Sequence, residues 1–119
     1  MRHGQCEDNK LTEKSEKVVR SKAEEIRKDL ESLSAIVIYH SPIPKAVITA
    51  EVVKEELTGI NVTLEPRKDL APYQYGLQEL IDNLQNTSII IAHQEEIQFI
   101  AGYCLKNGEY RKIILGKIA

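Results

Sequence analysis

Long apolar runs are missing from this chain. None approaches the ~20 residues that a membrane-spanning helix needs. The opening "MRHGQCEDN" is polar almost throughout and carries no signal-peptide pattern. A cytoplasmic protein without membrane contact is expected. Cysteine is scarce: there are 2, Cys6 and Cys104, too few for a disulfide framework and in no Cys-x-x-Cys spacing. Two free thiols in a reducing compartment follow. An excess of one charge is missing as well, since 16 Lys and Arg stand against 18 Asp and Glu, a net charge of −2. That balance leaves no overall basic footprint, so nucleic acid is not expected as a partner, although a local cationic pocket remains compatible with it. No internal repeat, low-complexity tract or Gly/Pro/Ser linker divides the chain. Its 119 residues read as a single domain, 1–119, able to hold one core but small for three layers.

What is present is an alternation of apolar periods. Between Leu11 and Leu33, Val19, Ala23, Ile26, Leu30 and Leu33 recur at helical steps, with Lys and Glu filling the other face. "AIVIYH" (Ala35 to His40) is a β-branched run too short for a helix and reads as a buried strand. After it, Ser41 reads as an N-cap, Pro42 or Pro44 fits only a first helical turn, and Ile43, Val47, Ala50, Val53 and Leu57 mark a second amphipathic helix ended by Gly59. "INVTLE" is a strand and "DLAPYQYG" a loop. The alternation then repeats. Leu77, Leu80, Ile81 and Leu84 mark a short helix, and "TSIIIAH" (Thr87 to His93) is a buried strand. Ile97, Ile100, Ala101 and Cys104 line a last helix ended near Asn107-Gly108, and "RKIILGKIA" starts as a strand. This order predicts an α/β fold, a three-layer α/β/α sandwich around a mostly parallel sheet.

The chemistry gathers at one edge. His40 and His93 each end a predicted strand, and His3 would do so if a strand preceded it, so all three belong at the carboxyl edge where ligands bind in such sheets. Helix starts after His40 and His93 offer unpaired N–H groups, and Arg2 and Lys45 add positive charge. Such a pocket suits a phosphate: a neutral histidine can attack phosphorus while a second donates to the oxygens. His40 admits two readings, a strand-end hydrogen bond or a part in the chemistry. A zinc site is not expected, because the histidines show neither His-x-His nor i, i+4 spacing.

Taken in order, "RHGQCEDNKLTEKS", "IYHSPIPKAVITAEVV", "DLAPYQYGLQEL" and "SIIIAHQEEIQFIAGYCL" resemble the histidine phosphatase, or phosphoglycerate mutase-like, superfamily. The resemblance is strongest to the small SixA-type phosphohistidine phosphatases, because "DLAPYQYG" puts Ala71 and Pro72 where mutase-like members carry an acidic proton donor. It implies a metal-independent phosphatase without cofactor. His3 would be the nucleophile that becomes transiently phosphorylated, Arg2 the clamp on the phosphoryl oxygens, and His93 the stabiliser of the transition state. Lys45, Asn9 and Gln94 would complete the phosphate site. The implied substrate is a phosphorylated histidine-containing protein of a phosphorelay. A small-molecule phosphomonoester is the alternative, and a catalytically weak phosphate-binding or interaction module is a third reading.

Three features depart from that family pattern. Lys45 stands where the second arginine is usual, keeping charge without the bidentate fork. Gln94, Glu95 and Glu96 follow His93, and carboxylates there are expected to repel a phosphate. The resemblance also implies a strand before Arg2 and a longer closing strand, so the first strand is expected to be missing and the last truncated.

Overall fold

The computed structural model describes residues 1–8, 10–101 and 105–110. Asn9, Cys104 and the expected closing strand after Tyr110 lie outside the described residues. A two-residue hairpin, β1 (Cys6–Glu7) with β2 (Lys10–Leu11), leads into α1 (Glu13–Asp29). Strand β3 (Ala35–His40), α2 (Pro44–Glu56) and β4 (Asn61–Pro66) follow. A 3₁₀ turn at Lys68–Leu70, α3 (Leu77–Asn83), β5 (Ser88–Ile91) and α4 (Gln94–Ala101) complete the order. The hairpin was not foreseen, since two-residue strands carry no period.

The fold is α/β as expected, with three parallel strands in the order β4-β3-β5 among the described residues. Its alternation divides the core. Ile36 and Ile38 of β3, Val62 of β4, and Ile89 and Ile91 of β5 pack on one side with Val19, Ala23 and Ile26 of α1 and Ala46, Ala50 and Val53 of α2. Tyr39 and Ile90, one step along their strands, turn to the other side. There they join Leu70, Leu77, Leu80 and Ile97. Helices thus cover both faces. β3 and β5 can then be apolar on both sides, as "AIVIY" and "SIIIA" are, while β4 keeps Asn61, Thr63 and Glu65 exposed.

Two helix expectations are corrected. The first helix does not span Leu11 to Leu33. Thr12 caps it, its hydroxyl accepting from the Ser15 N–H at 3.1 Å, and Leu30 ends it. Acidic Glu13 and Glu16 at its start and basic Arg27 and Lys28 at its end suit the helix dipole. In α2, Ser41 is not the N-cap. Ile43 holds that place without a side-chain cap, and Pro44 opens the first turn, where its missing N–H costs nothing. The buried face of α2 is Ala46, Thr49, Ala50 and Val53, with Val47 turned to its margin. Small side chains sit there because α2 packs closely on α1 and on the segment around Gly4.

One further piece of backbone matters. Residues 1–3 run parallel to the free edge of β5, with Arg2 paired to Ala92. The Met1 nitrogen donates to the Ile90 carbonyl, Ala92 N–H to the Met1 carbonyl and His3 N–H to the Ala92 carbonyl. On the side away from β5, Arg2 N–H donates to the Glu109 carbonyl and Gly108 N–H to the Arg2 carbonyl. Gly108 has φ of +82°, and a Cβ there would come within 3.0 Å of Val18. The Arg-His-Gly triplet is therefore delivered to the sheet edge by strand-like pairing. Among the described residues no helix is long and apolar enough to cross a membrane.

Candidate active site

Sheet register builds the site. His40 pairs with Ile91 across β3 and β5, Ser41 N–H donates to the Ile91 carbonyl, and Arg2 pairs with Ala92 on the opposite edge. One step further along the chain, His93 emerges between the His3 segment and Ser41. The His3 and His93 rings meet edge to face, with centroids 4.8 Å apart and planes inclined by 62°.

Hydrogen bonds assign the rings different capacities. His3 Nδ1 lies 2.9 Å from the Gly4 carbonyl. A carbonyl can only accept, so Nδ1 carries the proton, and in the neutral ring Nε2 keeps a bare lone pair. Burial lowers the His3 pKa, and the charges of Lys45 and Arg2 lower it further, against the Gly4 bond and Glu95. His93 is pushed down to about 4, first by burial, then by His3 and Lys45, with Glu95 opposing. Both rings are therefore neutral near pH 7, as a nucleophile and a neutral donor require. His93 Nε2 lies 2.8 Å from Ser41 Oγ.

The loop carrying His3 is held by buried hydroxyls. Gly4 N–H donates to Thr49 Oγ1 at 2.9 Å, and that hydroxyl donates to the Lys45 carbonyl at 2.7 Å. Gln5 N–H donates to Ser15 Oγ at 2.9 Å. A Cβ on Gly4 would lie 2.7 Å from Leu11 Cδ2, so any larger residue there would make the Leu11 side chain move. Thr49 sits in the "TA" dipeptide of the sequence, but its part could not be read there. A threonine on a helix face looks like surface until its neighbour is an unpaired glycine N–H.

The cations are placed as follows. Lys45, on the first turn of α2, is exposed, and its charge bears on His3, His93 and Cys6. Arg2 Nη1 donates to the Leu105 carbonyl at 2.7 Å, while its Nε is buried with no hydrogen-bond partner among the described residues. A buried, unpaired cationic N–H is costly, and an anionic oxygen would satisfy it.

Other candidates lie differently. Gln94 Oε1 accepts from the Leu105 N–H at 3.1 Å, tying α4 to the segment that Arg2 also grips. His40 is buried, and its Nδ1 donates to the Ser41 carbonyl at 2.9 Å. The strand-end hydrogen bond expected for it is thus present. Glu95 and Glu96 were expected to act alike against a phosphate, and for Glu96 this is corrected. Glu96 is only 2% exposed and faces the Tyr75 and Gly76 amides without closing a well-formed bond to either. Burial and the Asp69 charge raise its pKa. Only Glu95 is exposed and bears on the two rings.

The "DLAPYQYG" loop caps the neighbouring strand end. Arg67 holds Asp69 bidentately, with Nε to Oδ1 at 3.0 Å and Nη2 to Oδ2 at 2.8 Å. Asp69 stays well ionised, its pKa lowered first by that bond, and so is a poor proton donor. Tyr73 and Tyr75 hold φ of +66° and +55°. Gly76 is pressed on Asp69, where a Cβ would come within 2.4 Å.

Comparison with known proteins supports the architecture. No family model and no curated protein sequence matches the chain. Among solved structures it is similar to the protein histidine phosphatase SixA complexed with tungstate, at 22% identity and a TM-score of 0.64, over 86% of this chain and 72% of that one. It is also similar to a candidate phosphohistidine phosphatase SixA from Agrobacterium tumefaciens, at 12% identity and a TM-score of 0.63, over 85% of this chain and 71% of that one. The chain has the SixA fold, as its motifs had suggested.

Proposed function

We propose that this chain is a phosphatase that removes the phosphoryl group from phosphohistidine, through a covalent intermediate on His3. The observation that carries this reading is the pair of neutral rings at 4.8 Å, one holding a bare Nε2 because its Nδ1–H donates to the Gly4 carbonyl. Arg2 and Lys45 would meet the phosphoryl charge, the unpaired Arg2 Nε included. Asn9 and Gln94 remain candidates for the same pocket. His93 would steady the phosphoryl oxygens from the other side.

In the first step His3 Nε2 attacks phosphorus and the P–N bond to the substrate imidazole breaks. A substrate ring already protonated at its other nitrogen leaves as neutral imidazole, whose conjugate acid has a pKa near 6.5, so it needs no strong acid. In the second step water attacks phosphorus, the P–N bond to His3 breaks, and inorganic phosphate leaves. Because His3 Nδ1 keeps its proton on the Gly4 carbonyl, His3 also departs as a neutral ring. An alcohol leaving group would need a proton donor, and Asp69, the acid in the loop nearest by sequence pattern, is engaged by Arg67.

Parallel turnover assays on a phosphohistidine-bearing protein domain and on sugar phosphates test the choice. Faster release from the phosphohistidine is expected. Faster release from the sugar phosphates would replace this reading with a phosphomonoesterase, and binding without release from either would replace it with a phosphate-binding module.

A further inference from the structure

Ser41 is fully buried, and its hydroxyl stands between two groups of the site. Ile43 N–H donates to Ser41 Oγ at 3.2 Å, and His93 Nε2 lies 2.8 Å from the same oxygen. A serine hydroxyl has one proton to give and two lone pairs to receive. With Ile43 occupying a lone pair, two arrangements remain. If His93 Nε2–H donated, the proton of the fully buried Ser41 hydroxyl would need another acceptor, and a buried hydroxyl left without one is costly. If Ser41 donates, every one of these groups is satisfied.

We propose that Ser41 is a positioning residue that holds His93 with its proton on Nδ1, so that His93 offers an N–H to a phosphoryl oxygen while His3 offers a lone pair. Both rings are then in the same tautomer, but for different reasons. The Gly4 carbonyl draws the proton to Nδ1 of His3, and the Ser41 hydroxyl excludes it from Nε2 of His93. His40 belongs to the same arrangement, since its Nδ1–H fixes the Ser41 carbonyl at 2.9 Å. The lowered His93 pKa agrees, because a hydroxyl donating to Nε2 requires the neutral ring.

This assignment rests on the phosphatase reading, and the test separates the two. Long-range proton–nitrogen NMR on histidine-labelled protein at pH 7.5 reports which ring nitrogen of His93 is bare, without any substrate. In the parent, a bare Nε2 and a protonated Nδ1 are expected. In Ser41→Ala that preference is lost, and kcat on phosphoramidate falls by about ten-fold or more with KM little changed, as a misplaced ring proton demands. Ser41→Thr, which keeps a hydroxyl, restores the Nδ1–H tautomer and most of kcat. A proton found on Nε2 in the parent overturns the assignment, and so does an unchanged His93 tautomer in a folded Ser41→Ala. Should Ser41→Ala fail to fold, the parent spectrum alone decides. The expected tautomer together with no phosphoramidate turnover in the parent would leave Ser41's role standing and remove the phosphatase reading.

Discussion

Two polar clusters of this molecule are built on opposite terms. On the flank of α1 and α2, Arg20 reaches Glu16 at 2.9 Å, Glu55 at 3.0 Å and Glu56 at 2.8 Å, all partly in water. At the sheet edge, His3 and His93 meet each other, with His93 only 5% exposed and Lys45 near enough to oppose their protonation. The first cluster pairs unlike charges where screening makes them worth little. The second removes titratable rings from water and keeps them neutral, an expense that folding alone does not require. Polar contacts that favour the fold and polar contacts that spend stability on reactivity are thus separated in space.

Substitutions sharpen that contrast. His3→Ala should reduce turnover by about three orders of magnitude or more, since no other group supplies the attacking lone pair. Its melting temperature should change little, or rise, because a desolvated ring is lost. Steady-state assays with thermal melts on the same sample read both. Lys45→Ala should weaken inhibition by inorganic phosphate about ten-fold, and Lys45→Arg should strengthen it through the bidentate fork. Thr49→Val should cost about 1–3 kcal/mol in a denaturant melt, because the buried Gly4 N–H loses its acceptor. Arg20→Ala should cost about 1 kcal/mol or less, vanish at high salt and leave turnover unchanged.

Acid should separate the clusters too. For His93 the folded pKa, about 4, lies below the unfolded value of 6.5. Between these the unfolded chain binds more protons, so its contribution is fully present above about pH 6.5 and is lost as pH falls toward 4. Glu96 acts in the opposite sense, since its raised pKa makes the folded chain take up a proton first. The difference between parent and His93→Gln isolates the histidine. Parent stability should fall relative to the variant by about 1–3 kcal/mol from pH 7 to pH 4.5.

Much of this was legible in the residues. Strand β3 ends at His40 as its β-branched run indicated, and both His3 and His93 reach the same edge. In the second helix Ala50, Val53 and Leu57 are buried as their spacing indicated. The buried face also takes in Ala46 and Thr49 while Val47 lies at its margin, and Thr49 is buried for its bond to Gly4 rather than for apolar character. Glu95 and Glu96 could not be told apart, although adjacent helical positions point about 100° apart, and here one faces the rings and the other a loop. Ser41 was noticed for the wrong partner. Its hydroxyl does meet the start of α2 through Ile43, but its second contact, His93, is far along the chain and visible only in three dimensions.

The most direct test of the central claim is to trap the covalent state. Protein exposed briefly to radiolabelled phosphoramidate, then denatured in alkali and digested, should carry an acid-labile phosphoryl group on the peptide containing His3. That label should be absent from His3→Ala. Turnover without any label, or a label on His93 or His40, would contradict the account.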